Sequence, residues 1–335
     1  MSRVYVIHEN DTWVEPLRAA FDELAVPFTE WFLDEGTLDL TVPPPDGVFY
    51  NRMSASSHTR GHRYAPEHTA AVLAWLERHG RHVVNSGRAL QLEISKVAQY
   101  AALEACGIRT PETVATIGRD ALVEAARHFP TPFITKHNRA GKGLGVRRFD
   151  EAEALARYAR SDDFEPSVDG ITLLQRYIDA PEPCITRVEF VGGHFLYAVR
   201  VDTSQGFELC PADACRVDDA FCPAGDAGDA GEDGLFRILD DFNHPLLGPY
   251  TRFLHGNGIH IAGIEFIVDR DGVAYTYDVN TNTNYNSAAE RDTPHSGMHA
   301  IASHLGRELA QLDREAASRA DGMAIGRQES VARDS

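Results

Sequence analysis

Near the C-terminus two β-rich stretches, Gly263-Ile-Glu265-Phe-Ile-Val-Asp269 and Tyr275-Thr-Tyr-Asp278-Val-Asn280, flank an Asp271-Gly272 turn of the kind that closes a hairpin. Alternate side chains of a strand share a face, so Asp278 and Asn280 point the same way, and Glu265 joins them if the register pairs it there. Two carboxylates and an amide oxygen are hard ligands of the kind Mg2+ takes, with phosphate oxygens and water completing its octahedron. A merely solvated acidic strand face is the competing reading. The run Thr281-Asn-Thr-Asn-Tyr-Asn286 follows at once. Its Asn282 and Asn284 could orient phosphates or a substrate, although Asn and Thr also favour turns.

A second group of candidates lies earlier, in Phe133-Ile-Thr-Lys136 and Ala140-Gly-Lys-Gly-Leu-Gly-Val146. A lysine at the end of a strand can bring point charge to a phosphate, and Gly141, Gly143 and Gly145, interleaved with Lys142, let backbone N–H groups approach an anion closely. Neither a Walker loop nor a Rossmann fingerprint is present. Lys96 alone reads as an ordinary exposed lysine. Arg187, Glu189 and Arg200 sit on otherwise apolar strands and need partners if buried, as a structural ion-pair set or as substrate ligands. Asn51-Arg52-Met-Ser54, with His58 and Arg60, follows a strand, where ligand groups of α/β layers collect, and Arg52 is a candidate for binding a substrate carboxylate. A basic surface loop is the alternative there.

These groups need elements to hold them. Val4 to His8, Phe28 to Phe32, Gly47 to Asn51 and His82 to Asn85 read as strands, with helical spacing over Val14 to Leu24 and Pro66 to Arg78, so residues 1–88 form an N-terminal α/β domain. A long helical pattern runs from Leu90 to Cys106, with Lys96 opening its segment Ser95-Lys-Val-Ala-Gln-Tyr. A helix over Asp120 to His128, a hairpin around the glycine loop and a helix over Glu151 to Arg160 complete a central lobe, 89–170. Strands at Ile171 to Ile178, Ile185 to Phe190, Gly193 to Val201, Ile259 to Val268 and Val273 to Val279, with helices at Leu247 to His255 and from His295 to about Leu312, make a last lobe, 171–316. The acidic stretch Gly225 to Gly234 reads as a flexible surface loop, and 317–335 as a frayed tail.

Composition narrows the function classes. With 335 residues, 43 % of them hydrophobic and 24 % charged, the chain is of ordinary globular type with two or three lobes. A formal charge of −18 argues against nucleic acid as a partner. No basic segment leads into a long apolar one at Met1-Ser-Arg-Val-Tyr-Val-Ile-His8, and no apolar run is long enough to cross a membrane, so a cytoplasmic location is expected. Five cysteines are read as reduced thiols, and the spacing of Cys210, Cys215 and Cys222 is not a zinc signature.

The order of the candidates resembles the ATP-grasp superfamily across nearly the whole chain: Lys96, then Lys136 with its glycine hairpin, then Leu173-Leu-Gln-Arg-Tyr-Ile178, then Arg187 and Arg200, then Glu265 and Asp278-Val-Asn280. Within it, the branch similar to ribosomal-protein-glutamate ligases is nearest. The resemblance implies an N-terminal Rossmann-like domain and two α+β lobes enclosing ATP. It implies an ADP-forming ligase that couples a carboxylate to an amine through an acyl phosphate. By the same resemblance Lys96 and Lys136 contact phosphates, the loop at Gly141, Lys142, Gly143 and Gly145 covers them, and Gln175, Arg176, Tyr177 and Ile178 form the hinge beside adenine. An acidic residue is usual where this chain has Arg176. Glu265, Asp278 and Asn280 are implied to hold one or two Mg2+ ions, with Mn2+ as an alternative, and Arg200 to steady the transferred phosphoryl group. Arg52, Arg187, Asn282 and Asn284 are the substrate candidates. The partners are small carboxylates and amines, or a peptide, with a homodimer as the commonest assembly. Two other readings stay open: a ligase closing ester or amide rings in a ribosomal peptide, and a nucleotide-binding regulatory module without turnover.

Overall fold

The structure is a computed structural model that describes residues 2–141, 143, 145–204, 235–239, 241–291 and 293–331, with side chains as far as residue 319. The N-terminal layer contains β1 (Arg3–His8), α1 (Glu15–Glu23), β2 (Phe28–Phe32), β3 (Gly47–Asn51), α2 (Ala65–Arg78) and β4 (His82–Val84). Its sheet is parallel, in the order β2-β1-β3-β4, and every residue of the inner strand β3 is buried, as a parallel sheet covered on both faces requires.

The helical pattern expected over Leu90 to Cys106 is divided between two helices, α3 (Gly87–Glu93) and α4 (Lys96–Ala105). Ser95 between them is extended, with φ −144°, and its hydroxyl accepts from the Ala98 N–H. A serine N-cap thus restarts the helix without disturbing the apolar spacing, which is why periodicity alone runs through the break. Lys96 becomes the first residue of α4, where the helix dipole disfavours a cation, so another charge must hold it.

The central lobe consists of β5 (Thr113–Ile117), α5 (Arg119–His128), β6 (Phe133–His137), β7 (Arg147–Phe149), α6 (Ala152–Arg160) and β8 (Ile171–Arg176), with antiparallel strands in the order β5-β8-β6-β7. The expected boundary at 170/171 is corrected by this pairing: β8 lies between β5 and β6, so the central sheet extends to Arg176. A five-stranded antiparallel sheet follows, in the order β11-β10-β9-β12-β13, built from β9 (Cys184–Val191), β10 (His194–Asp202), β11 (Phe236–Leu239), β12 (Ile261–Val268) and β13 (Ala274–Asn280). One face buries Val188, Phe190, Ile264 and Phe266 against Tyr250, Phe253 and Leu254 of α7 (Leu247–Gly256).

A short helix α8 (Ser287–Glu290) leads to α9 (Gly297–Val331). Met298, Ile301, Ala302, Leu305 and Leu309 of α9 share one core with Val4, Val6, Leu17 and Phe21 of the N-terminal layer and Tyr197 and Val199 of β10. The chain expected to fray from 317 continues this helix to Val331. Cys106 and Cys184 are free thiols. Cys210, Cys215, Cys222 and the Gly225–Gly234 stretch lie outside the described residues. Among the described residues no helix is long and apolar enough to cross a membrane.

Candidate functional site

Between the two antiparallel sheets, and closed at one end by the N-terminal layer, lies a cavity of about 540 Å3. That is a size suited to a nucleotide or other small ligand. Glu265, Asp278 and Asn280 all line it. Glu265 and Asp278 are direct partners across the β12–β13 hairpin, and Asn280 stands opposite Gly263, so the register puts the three oxygen donors on one face. An irregularity after Glu265 brings Tyr277 to the same wall.

The two lysines meet this group from α4 and β6. Lys96 Nζ donates to Asp278 Oδ1 at 2.6 Å, which supplies the anion that its helix position demands. Lys136 Nζ donates to Tyr100 Oη and to the Tyr277 carbonyl, both at 3.1 Å, and lies 5.2 Å from the Tyr277 ring centre. Burial lowers the Lys136 pKa, against the pull of Asp278 and Glu265. Burial by itself would raise the Asp278 carboxyl, but Lys96 and Lys136 outweigh it and hold the group below its ordinary range. Glu265 is pushed up by burial in spite of Arg187.

Arg187 lines the cavity and is shared out among neighbours: Nε to Glu189, one terminal nitrogen to Glu265 at 2.8 Å and the other to Thr283 Oγ1 at 2.6 Å. Thr283 in turn donates to Glu189 at 2.9 Å. Gly263 leaves the room for this arginine, since a Cβ there would lie 2.4 to 2.7 Å from three guanidinium atoms.

Arg200 does not belong to this group. Val199 pairs with Arg187 and Val201 with Ile185, so Arg200 between them faces the other side of the sheet, where it pairs with Glu182; it is not among the cavity residues. The expectation that it steadies a phosphoryl group is therefore corrected by strand parity. Arg52 is also placed differently from its expectation as a carboxylate ligand. It is fully buried, donating to Asn282 Oδ1 at 3.1 Å, to the Thr283 carbonyl at 3.2 Å and to Asn284 Oδ1 at 2.7 Å, with Met298 Sδ against it. It braces the loop that presents Asn282 and Asn284 to the cavity.

Gln175, Arg176, Tyr177 and Ile178 line the cavity where the chain leaves β8 for β9. The Gln175 side chain is buried and bonds Tyr100 Oη and Thr113 Oγ1, both at 2.9 Å, so it sets the position of the tyrosine under Lys136. Gly141 and Gly143 also line the space, and Gly145, at φ +73°, lies so close to His137 that a Cβ would collide with the ring. Lys142 lies outside the described residues. Glu189 pairs with Arg187, as the ion-pair reading of these strands expects. Sequence reading missed Glu93, Tyr100 and Thr283, and also Asn85, whose buried amide bonds His260 N, Ile261 N and O, and the Thr281 carbonyl. None of these carries a local motif; Asn85 offers only its left-handed φ of 59°, a conformation that asparagine tolerates.

No protein-family model matches the sequence, and no curated protein does. Solved structures do. An ATP-grasp RimK-domain protein from Sphaerobacter thermophilus DSM 20745 superposes with a TM-score of 0.60 at 18 % identity, covering 90 % of this chain and 99 % of that one. D-cycloserine synthetase DcsG gives 0.60 at 15 %, covering 91 % and 99 %. The ATP-grasp ligase PsnB gives 0.60 at 16 %, covering 92 % and 97 %, in its complex with minimal precursor, Mg and ADP. With precursor peptide PsnA2 and AMPPNP it gives 0.60 at 15 %, covering 93 % and 97 %. A parallel N-terminal sheet, two antiparallel sheets facing one cavity, and likeness to these structures over nine-tenths of the chain lead to one conclusion: this protein has the ATP-grasp fold.

Proposed function

We propose that the protein is an ATP-dependent ligase that joins a carboxylate to an amine through an acyl phosphate, releasing ADP and phosphate. The observation that carries this reading is Lys136, a buried, cavity-facing cation whose hydrogen bonds among the described residues go only to neutral oxygens, opposite the oxygen donors Glu265, Asp278 and Asn280. A buried ammonium with neutral partners fits an anionic ligand such as a phosphate chain. The facing donors are the hard oxygens that suit Mg2+, which when bound neutralises phosphate charge.

The residues then divide the work. Asp278, Glu265 and Asn280 would hold the metal, and Lys96 would keep Asp278 ionised. Lys136 would lie along the phosphates, while Arg187, anchored by Glu189 and Thr283, would stay oriented when Glu265 turns to a metal. Gly141 and Gly143 would cover the site and keep water from the acyl phosphate, which hydrolyses readily. Phosphoryl transfer asks for positioning and charge neutralisation more than covalent protein chemistry, and this set is of that kind.

A screen pairing carboxylates with amines and reading ADP release tests the proposal. ATP binding without ADP release over a broad panel would point to the regulatory alternative. A peptide acceptor is the second reading, supported by the likeness to PsnB, which was solved with a precursor peptide. Turnover confined to a peptide substrate would favour it.

A further inference from the structure

Charges around the cavity do not pair off completely. Arg187 is shared by Glu189 and Glu265, and Lys96 is matched by Asp278. Among the described residues that line the cavity, two cations and one anion form no ion pair. The cations are Lys136 and Arg176, the latter 5.9 Å from the Tyr275 ring centre. The anion is Glu93, the last residue of α3, which also lines the cavity. Its Oε2 accepts from the Thr281 N–H at 2.7 Å and from Thr281 Oγ1 at 3.0 Å, while Oε1 has only a long contact, 3.5 Å, from the Ala55 N–H. Among the described residues no lysine, arginine or histidine forms an ion pair with it. A carboxylate withdrawn from water with neutral partners is costly unless a cation is supplied. Lys96 acts on it through space, against the larger opposing influence of Asp278, to which Lys96 is already bound.

Ser54 and Ser56, on either side of Ala55, line the cavity next to Glu93 and bond each other at 3.0 Å. Ser54 Oγ also accepts from the Ser56 N–H at 3.1 Å and Ser56 Oγ from an Arg60 terminal nitrogen at 3.4 Å, so the pair keeps one acceptor site for a further donor. An ammonium group has three donors and no acceptor, so one carboxylate oxygen with one flanking hydroxyl complements it in part. A divalent cation would ask for more oxygens of full or partial negative charge than this corner presents.

We propose that Glu93 binds the protonated amino group of the acceptor, which is then an amine of the amino-acid or peptide type rather than a hydroxyl or thiol, and that this nitrogen passes one proton to the Glu93 carboxylate before its lone pair attacks the acyl phosphate. This rests on the ligase reading and narrows its acceptor class. Removing the charge from a charge-assisted hydrogen bond should weaken binding by about 10- to 100-fold.

The test is calorimetric titration of the full chain loaded with AMPPNP and Mg2+, using the amino-acid amides and their N-acetyl counterparts as probes. At least one amide should bind, its acetylated form should not, and Glu93→Gln should weaken the amide by the factor above while AMPPNP affinity stays unchanged. Glu93→Asp keeps the charge and should retain the preference for the free amine, which separates a charge role from a loss of folding. Binding that ignores acetylation, binding that ignores Glu93→Gln, or failure of every amide would each overturn the assignment. So would a loss confined to Mg2+-AMPPNP affinity, which would make Glu93 a metal ligand. If amides bind through Glu93 but ADP is never released, the ligase reading falls and the ammonium site stands.

Discussion

Lys136 and Asp278 show how single side chains here trade stability for binding. Lys136 is held as a desolvated cation on neutral oxygens, an arrangement that costs the free protein and favours an anionic ligand. Lys136→Met should therefore leave the melting temperature level or raise it, while the ATP requirement rises at least about tenfold, the loss of one charge-assisted contact. Thermal melts and ADP-release kinetics on one preparation check both halves; unchanged ATP dependence would make the lysine a bystander. Asp278→Asn keeps the side-chain volume but strips Lys96 of its only ion-pair partner among the described residues. It should abolish ADP formation with a folded circular-dichroism spectrum, and near-normal turnover would remove the metal assignment.

At the scale of elements, the site depends on one strand approaching another without a side chain in between. Gly263 on β12 leaves the space in which the Arg187 guanidinium meets Glu189, Glu265 and Thr283. Because those bonds lock the arginine tip, it cannot swing aside freely, and Gly263→Ala should cost about 2 kcal/mol through overpacking and a broken buried ion pair. Urea unfolding measures this; a loss below about 0.5 kcal/mol, the range of neutral substitutions, would show that Arg187 has another place to go. The α3–α4 junction works similarly. Ser95→Ala removes the N-cap that starts α4 at Lys96 and should cost about 1 kcal/mol, with a higher ATP requirement because the lysine loses its fixed starting point.

For the whole molecule, α9 is the joint between the N-terminal layer and the last sheet, and it carries a pH-sensitive residue. His304 is buried beneath the Gly192 turn, beside His260, His82 and Glu308. Burial first, and then the neighbouring His260, Arg307 and His82, lower its pKa to about 4 in spite of Glu308. A depressed folded value means that the unfolded chain binds the proton more tightly. Stability from this group is then complete above pH 6.5, the ordinary histidine value, and is lost as pH falls toward 4. The total loss is of order 3 kcal/mol. His304→Gln should flatten the fall of melting temperature between pH 6.5 and pH 4, and an equally steep fall in the variant would assign that slope to other groups.

The alternation of Asp278 and Asn280, the hairpin turn after Asp269, the glycine loop after Lys136 and most strands and helices could be read from the sequence, because they follow from period, turn chemistry and capping over a few residues. Tertiary structure alone decided what depends on distant partners. Arg187 and Arg200 look alike on apolar strands, and only the β9–β10 register shows that one faces the cavity and the other faces away. Arg52 finds its acceptors 230 to 232 residues away, and Thr281, which holds Glu93, is 188 residues distant, so neither brace leaves a local trace. Side-chain period is local and survives in the sequence, whereas charge pairing in a cavity is settled by which segments the folded sheets bring together.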